Sequence, residues 1–276
     1  MMIDSATQLY GVFGNPVSHS MGPLMHNAAF TEKGINAVYL AFSVKDIKKG
    51  IDSIKTLGII GVSVTIPFKQ SVLPFLDKID DLAFEIGAVN TIVNKNGILA
   101  GFNTDSHGAV EPLKRKCPIK DKRICILGAG GAARAVAFGI KEENGIIFIG
   151  NRSEKRGKSL AKQTGGEFVS PDNIGELDPD IIINATPVGM TPYVNESPIS
   201  AGLLKGHMTV MDIVYNPLRT KLIKDAEDAG CTIIDGLSMF VNQGAAQFEL
   251  FTGIKAPMDL MRQTVLDNII NGHGNR

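Results

Sequence analysis

The segment KRICILGAGGAARAVAFGI, residues 122–140, limits the possible folds more than any other part of the chain. Its apolar start predicts a strand over 123–128. That strand runs into Gly128-Ala129-Gly130-Gly131-Ala132-Ala133 and then into a helix over 131–142. A strand, a GxGxxG/A turn and a helix in this order form the phosphate-binding corner of a dinucleotide-binding α/β unit. Gly128 permits the tight turn, and Gly130 keeps a Cβ out of the path of a pyrophosphate. Ala133 lets the helix lie close to the sheet. Free N–H groups at the helix start then face the phosphates. A Gly-rich turn alone can be structural. Its place between a strand and a helix favours dinucleotide binding.

The following strand, near 146–150, ends in Asn151-Arg152-Ser153. An NAD-specific site places an Asp or Glu here for the ribose 2′-hydroxyl. This chain has no carboxylate there, and Arg152, Ser153 and Arg156 offer a set suited to a 2′-phosphate. The same basic run could be a solvated face. Cations at a helix start oppose the helix dipole, however, so a bound anion explains them better. The expected cofactor is therefore NADP.

Short apolar runs alternate with amphipathic stretches through most of the 276 residues, which predicts an α/β architecture with mainly parallel sheets. Strands are expected near 8–13, 38–43, 60–64 and 88–93, with helices near 23–33, 46–57 and a broken one over 68–86. A second series has strands near 123–128, 146–150, 180–184, 209–213 and 231–234. Helices near 131–142, 154–164 and 219–229 lie among them. After Gly236 only helical patterns follow, near 238–251 and 257–271. The polar segment RKCPIKD, residues 115–121, reads as a connection between the series.

Composition excludes several classes. Lys and Arg total 28 against 28 Asp and Glu, so no net basic charge points to nucleic acid. No apolar run approaches the ~18 residues of a membrane span, and the N-terminus lacks a signal-peptide pattern. The three cysteines are widely spaced without CxxC pairing, and the five histidines show no HExxH spacing. A cytoplasmic protein acting on a small molecule, without metal, nucleic-acid or membrane partners, is the expectation.

Four polar clusters fall at the ends of expected strands, where open α/β sheets bind ligands. They are Gly14 to Pro23 (GNPVSHSMGP), Val62 to Lys69 (VSVTIPFK), Gly87 to Thr91 (GAVNT) and Gly101 to Asp105 (GFNTD). Taken singly, Ser18 and Ser20 could cap a helix, Asp105 could do the same, and Lys69 could be a surface charge. Together and in this order, the clusters resemble the motifs of the shikimate dehydrogenase family. The resemblance continues through GAGGAAR, NRS, NATPVGM (184–190), DIVYNPLRT (212–220) and GLSMFVNQG (236–244), and so covers nearly the whole chain.

This resemblance implies a two-domain α/β fold. An N-terminal substrate domain of residues 1–104 would be completed by the helices of 237–276, and a Rossmann-type NADP domain would span 105–236, with a cleft between them. It implies reversible, NADPH-dependent reduction of 3-dehydroshikimate to shikimate, a step of aromatic amino acid biosynthesis. Lys69 and Asp105 would be catalytic. Ser18, Ser20, Thr65, Asn90, Tyr215 and Gln243 would hold substrate. Gly128, Ala129, Gly130, Gly131, Ala132, Asn151, Arg152, Ser153, Arg156, Thr186, Gly236 and Met239 would hold NADP, and the protein would be a monomer or homodimer.

The chain departs from the family pattern at Gly22, where a Ser is common, and at Ser63, where Asn is usual. Gly22 lacks a hydroxyl for the substrate carboxylate, and some quinate-preferring plant relatives resemble this variant. A quinate or dual quinate/shikimate dehydrogenase is therefore an alternative. A non-catalytic NADP-binding regulatory protein is an alternative of another class. The presence of Lys69, Asp105, Thr65 and Asn90 speaks against it.

Overall fold

The structure is a computed structural model that describes residues 3–272. In chain order it has β1 (Gln8–Gly14), α1 (Gly22–Glu32), β2 (Ala37–Ser43), α2 (Ile47–Thr56), β3 (Gly61–Val64), β4 (Lys78–Ile79), α3 (Asp81–Ile86), β5 (Thr91–Lys95) and β6 (Ile98–Phe102). Then come α4 (Thr104–Lys114), β7 (Arg123–Leu127), α5 (Gly131–Glu142), β8 (Ile146–Gly150), α6 (Glu154–Thr164), β9 (Glu167–Val169), α7 (Ile174–Leu177) and β10 (Ile181–Asn184). The chain ends with β11 (Thr209–Asp212), α8 (Lys221–Asp228), β12 (Thr232–Ile234), α9 (Gly236–Thr252) and α10 (Met258–Gly272).

Two compact units divide the chain: the described residues of Met1–Thr104 with Gln243–Arg276, and Asp105–Asn242. The first crossing separates Thr104 from Asp105. The second falls within the unbroken helix α9, between Asn242 and Gln243, where 236/237 was expected. Residues 1–2 and 273–276 of the expected substrate domain lie outside the described residues.

The first unit has a six-stranded sheet in the order β2-β1-β3-β5-β6-β4. β1 pairs in parallel with β2 and β3, as its apolar run LYGVF suggests. β5 and β6 form an antiparallel hairpin, and β5 also runs antiparallel to β3. The hairpin, absent from the sequence expectation, turns at Asn96 and Gly97, both with positive φ (54° and 85°). That is the Asn-Gly chemistry a tight hairpin requires. The helix expected over 68–86 is broken as anticipated. A 3-10 turn at Leu73–Phe75 and strand β4 come first, and Asp80 then accepts from Ala83 N (3.4 Å) to start α3. The core gathers Phe13, Ile51, Ile54, Val62, Val64, Ile92 and Leu99, each worth roughly 1.5–3 kcal/mol when fully buried. α10 packs on α1 with Met261 and Val265 fully buried.

The second unit has a six-stranded, all-parallel sheet, β12-β11-β10-β7-β8-β9. Its central strands are buried on both faces, which accounts for the unbroken apolar runs at 124–127 and 181–183. Strand order reverses between β10 and β7, so a crevice for a ligand opens at the carboxyl ends of those strands. Among the described residues no helix is long and apolar enough to cross a membrane.

Candidate active site

In the first unit, topology brings the polar clusters to one end of the sheet, at the carboxyl ends of β1 and β3. β1 and β3 are parallel, so the loops after Gly14 and Val64 emerge on the same side. β5 is antiparallel to β3, with Ser63 opposite Thr91, so the start of β5 lies at that end too. β6 ends opposite Thr91 and delivers Asn103 and Thr104 to it.

Local hydrogen bonds tie these segments together. Thr65 N donates to Phe13 O (2.9 Å), Val64 N to Asn90 O (2.7 Å) and Val89 N to Lys69 O (2.7 Å). The turn bearing Lys69 is thus fastened to the segment bearing Asn90. Asn90 is buried. Its Nδ2 donates to Thr104 Oγ1 (2.9 Å), and its Oδ1 accepts from Thr104 N (2.8 Å) and from the Thr91 hydroxyl (2.8 Å). Ser20 is half-buried, and its Oγ accepts from Gly22 N at the start of α1 (3.2 Å). Ser18 is exposed, while Thr65, Lys69 and Gln243 are half-buried. Asp105 is buried in the first turn of α4, directly after the Thr104 that holds Asn90.

In the second unit, a cavity of about 290 Å³ is lined by Gly128, Ala129, Gly130, Asn151, Arg152, Arg156 and Thr186, with Ile174 and Pro198 among its apolar walls. Gly128 has φ +117°, and a Cβ there would lie 2.9 Å from Ala185 O, so the turn needs glycine on both counts. A Cβ at Gly130 would project into open space, as expected of a cradle meant for a phosphate group. Asn151 Nδ2 donates to Ser153 O (2.8 Å), and Ser153 stands at the start of α6 without capping it. Arg152 and Arg156 are exposed, and among the described residues neither guanidinium has a carboxylate partner. This donor set fits NADP: a Gly-rich cradle at the α5 N-terminus and two guanidinium groups at the rim. Gly131 and Ala132 open α5 beside the cavity. Gly236 begins α9, Met239 is buried, and Tyr215 stacks on Phe240 with centroids 4.9 Å apart, its hydroxyl pKa raised by burial.

Two buried polar networks lie behind these motifs, and their pairings, with Gln247 and Tyr39, are not legible in the sequence. In the second unit Asp212, at the end of β11, accepts from Thr220 Oγ1 (2.6 Å), Val214 N (3.0 Å) and Asn184 Nδ2 (2.9 Å). Asn184 in turn accepts from Thr186 N (3.0 Å) and Thr186 Oγ1 (2.6 Å), which shapes the loop lining the cavity. Desolvation pushes the Asp212 carboxyl up to about 6 despite its three donors. In the first unit, Gln247 on α9 bonds Ser63 Oγ (2.7 Å), Asn90 O (3.2 Å) and Thr91 Oγ1 (3.1 Å). Its signal in the sequence is the spacing Gln243–Gln247, one helical turn on the same face. Among the described residues no group of three or more His, Cys, Asp and Glu side chains could hold a metal ion.

Comparison with known proteins agrees along the whole length. Residues 12–92 match the family model for the shikimate dehydrogenase substrate binding domain. Residues 111–238 match the one for shikimate/quinate 5-dehydrogenase, and residues 236–266 the one for the shikimate 5′-dehydrogenase C-terminal domain. The chain is 45% identical over 268 residues to shikimate dehydrogenase (NADP+) of Pyrococcus abyssi, covering 96% of this chain and 100% of that one. A crystal structure of shikimate dehydrogenase in complex with NADP+ superposes with TM-score 0.94 at 43% identity, over 97% of this chain and 98% of that one. The Thermus thermophilus enzyme in complex with NADP(H) and shikimate gives 0.88 at 34% identity, over 94% and 99%. The chain belongs to the shikimate dehydrogenase family.

Proposed function

We propose that this protein catalyses the reversible, NADP-dependent interconversion of 3-dehydroshikimate and shikimate. The observation that carries this reading is the convergence of the Ser20, Thr65–Lys69, Asn90 and Thr104–Asp105 segments at one end of the first unit's sheet, in a chain whose other unit bears an NADP-type cradle. When bound, NADPH supplies the hydride. The chain supplies orientation and the proton. Lys69 donates that proton to the forming alkoxide oxygen, because an ammonium both transfers a proton and stabilises negative charge developing on oxygen. Asp105 acts with Lys69 at the substrate hydroxyl.

Ser18, Ser20, Thr65, Asn90, Tyr215 and Gln243 hold the substrate hydroxyls and carboxylate. Arg152, Arg156, Asn151 and Ser153 hold the 2′-phosphate, and Gly128 to Ala132 hold the pyrophosphate against the start of α5. Thr186, Gly236 and Met239 complete the cofactor side. The protein works as a cytoplasmic enzyme on small molecules, as a monomer or homodimer.

A second reading, dehydrogenation of quinate, is favoured by Gly22 alone, which lacks the hydroxyl usual at its position. Comparing kcat/KM for shikimate and quinate with NADP+ tests both. A shikimate value at least about tenfold higher supports the first reading, and the reverse supports the second. No turnover of either acid would leave a cofactor-binding regulatory role.

A further inference from the structure

α9 carries two glutamines one turn apart. Gln243 belongs to the proposed substrate set. Gln247 is 3% exposed. A carboxamide has two N–H donors and an oxygen with two acceptor sites. Both N–H groups of Gln247 are directed, one to Asn90 O (3.2 Å) and one to Thr91 Oγ1 (3.1 Å). Its oxygen accepts from Ser63 Oγ (2.7 Å), and the side chain also hydrogen-bonds His26. All of its capacity is used, so the amide has one orientation.

That orientation propagates in two directions. Toward Asn90, Thr91 Oγ1 accepts from Gln247 and therefore donates to Asn90 Oδ1 (2.8 Å). Asn90 Oδ1 also accepts from Thr104 N (2.8 Å), which leaves Asn90 Nδ2 facing Thr104 Oγ1 (2.9 Å). The fixed Thr104 N–H and the Thr91 hydroxyl oriented by Gln247 together hold the Asn90 amide in one orientation. Toward α1, Ser63 Oγ accepts from the Tyr39 hydroxyl (2.6 Å), and Tyr39 stacks on His26 with centroids 4.4 Å apart. A Cβ added at Gly22 would stand 3.2 Å from Ser20 Oγ and 3.6 Å from that tyrosine hydroxyl. The space beside Gly22 is therefore walled by the far end of the same network. The serine at 63, in place of the usual asparagine, is the short link that lets Tyr39 and Gln247 share one hydroxyl.

We propose that Gln247 is a positioning residue for substrate: with Thr104 N it holds the orientation of Asn90, acting through Thr91, and it holds the Tyr39 wall beside Ser20 and Gly22 through Ser63. This rests on the functional reading above, in which Asn90 and Ser20 touch substrate.

The test is steady-state kinetics of the full-length protein, varying shikimate and NADP+ separately, with thermal unfolding as a check on folding. Gln247→Met keeps length and volume but removes every hydrogen bond. Thr91→Val removes the hydroxyl that joins Gln247 to Asn90 and touches Thr104 Oγ1 (3.4 Å) but keeps the Ser63 branch, and it serves if the first variant folds poorly. Each variant should raise KM for shikimate about tenfold and leave KM for NADP+ within about twofold, and the double variant should shift no further than the larger single one. Folded variants whose shikimate KM stays within about twofold of the parent would overturn the proposal, as would equal rises in both KM values. A parent protein that does not turn over shikimate would instead overturn the functional reading, and this proposal with it.

Discussion

The two units hold the loops that carry their sequence motifs with buried polar groups of different kinds. In the first, the anchor is neutral throughout: Gln247, Ser63, Tyr39, Thr91 and Thr104 exchange hydrogen bonds around Asn90. His26, which closes the network, is held uncharged because burial lowers its pKa to about 4. In the second, the anchor is a carboxylate, Asp212, gripped by Thr220, Val214 N and Asn184. A neutral network avoids the cost of burying charge and fixes donor and acceptor edges one by one. A buried carboxylate costs more to desolvate but can hold three donors at once, here Thr220 Oγ1, Val214 N and Asn184 Nδ2. The lesson is that orientation of a single amide and shaping of a loop are solved by different electrostatics within one chain.

The largest expected effect separates chemistry from binding. Lys69→Ala should lower kcat by about 10²–10⁴-fold while NADPH binding, read by fluorescence titration, stays near the parent value. Undiminished turnover in that variant would remove Lys69 from the mechanism.

Next come the opposite pH responses of the two anchors. For His26 the folded pKa, about 4, lies below the ordinary 6.5, so the native state binds fewer protons between these values. Its contribution to stability is therefore lost as pH falls through that window. For Asp212 the folded pKa, about 6, lies above the ordinary 3.8, so the native state binds more protons there, and stability is lost as pH rises through the window. Each shift corresponds to roughly 3 kcal/mol. Denaturant unfolding of His26→Phe and Asp212→Asn across the acid range should show stability differences from the parent that slope in opposite directions. Parallel slopes would erase the distinction between the anchors.

A smaller effect belongs to the cofactor rim. Arg152→Ala with Arg156→Ala should weaken NADP+ by about 1.5–3 kcal/mol, the worth of hydrogen bonds to a charged group, and leave NAD+ nearly unchanged. Equal losses for both cofactors would mean that the guanidinium groups do not read the 2′-phosphate. The smallest is Gly22→Ser. Ser20 Oγ and Tyr39 leave room for a Cβ only with slight adjustment, so the change in shikimate/quinate preference should stay near 1 kcal/mol.

The units also differ in how much of each could be read from the chain. β7, α5 and β8 were legible to within a residue, because an all-parallel sheet writes its strands as unbroken apolar runs and its phosphate turn in glycine. β6, ILAGF, was missed: it is short, carries a glycine and has a polar turn before it, and only Asn96-Gly97 announced the hairpin. That omission hid why Asn90 and Thr104 meet. The charged and glycine-rich site residues stood out by type. Gln247, Tyr39 and Asp212 did not, because a buried polar residue looks like any surface residue until its partners are placed. Asn90 and Gln247 bond across 157 positions, and no local pattern records such a pair.

Nicotinamide absorbance on mixing the protein, NADP+ and shikimate, with NAD+ and quinate as parallel arms, tests the dehydrogenase assignment most directly. NADPH should form only when shikimate is present, with far slower turnover when NAD+ replaces NADP+ and a lower kcat/KM for quinate. No absorbance change with shikimate and NADP+, from protein shown to be folded and to bind NADP+, would contradict it.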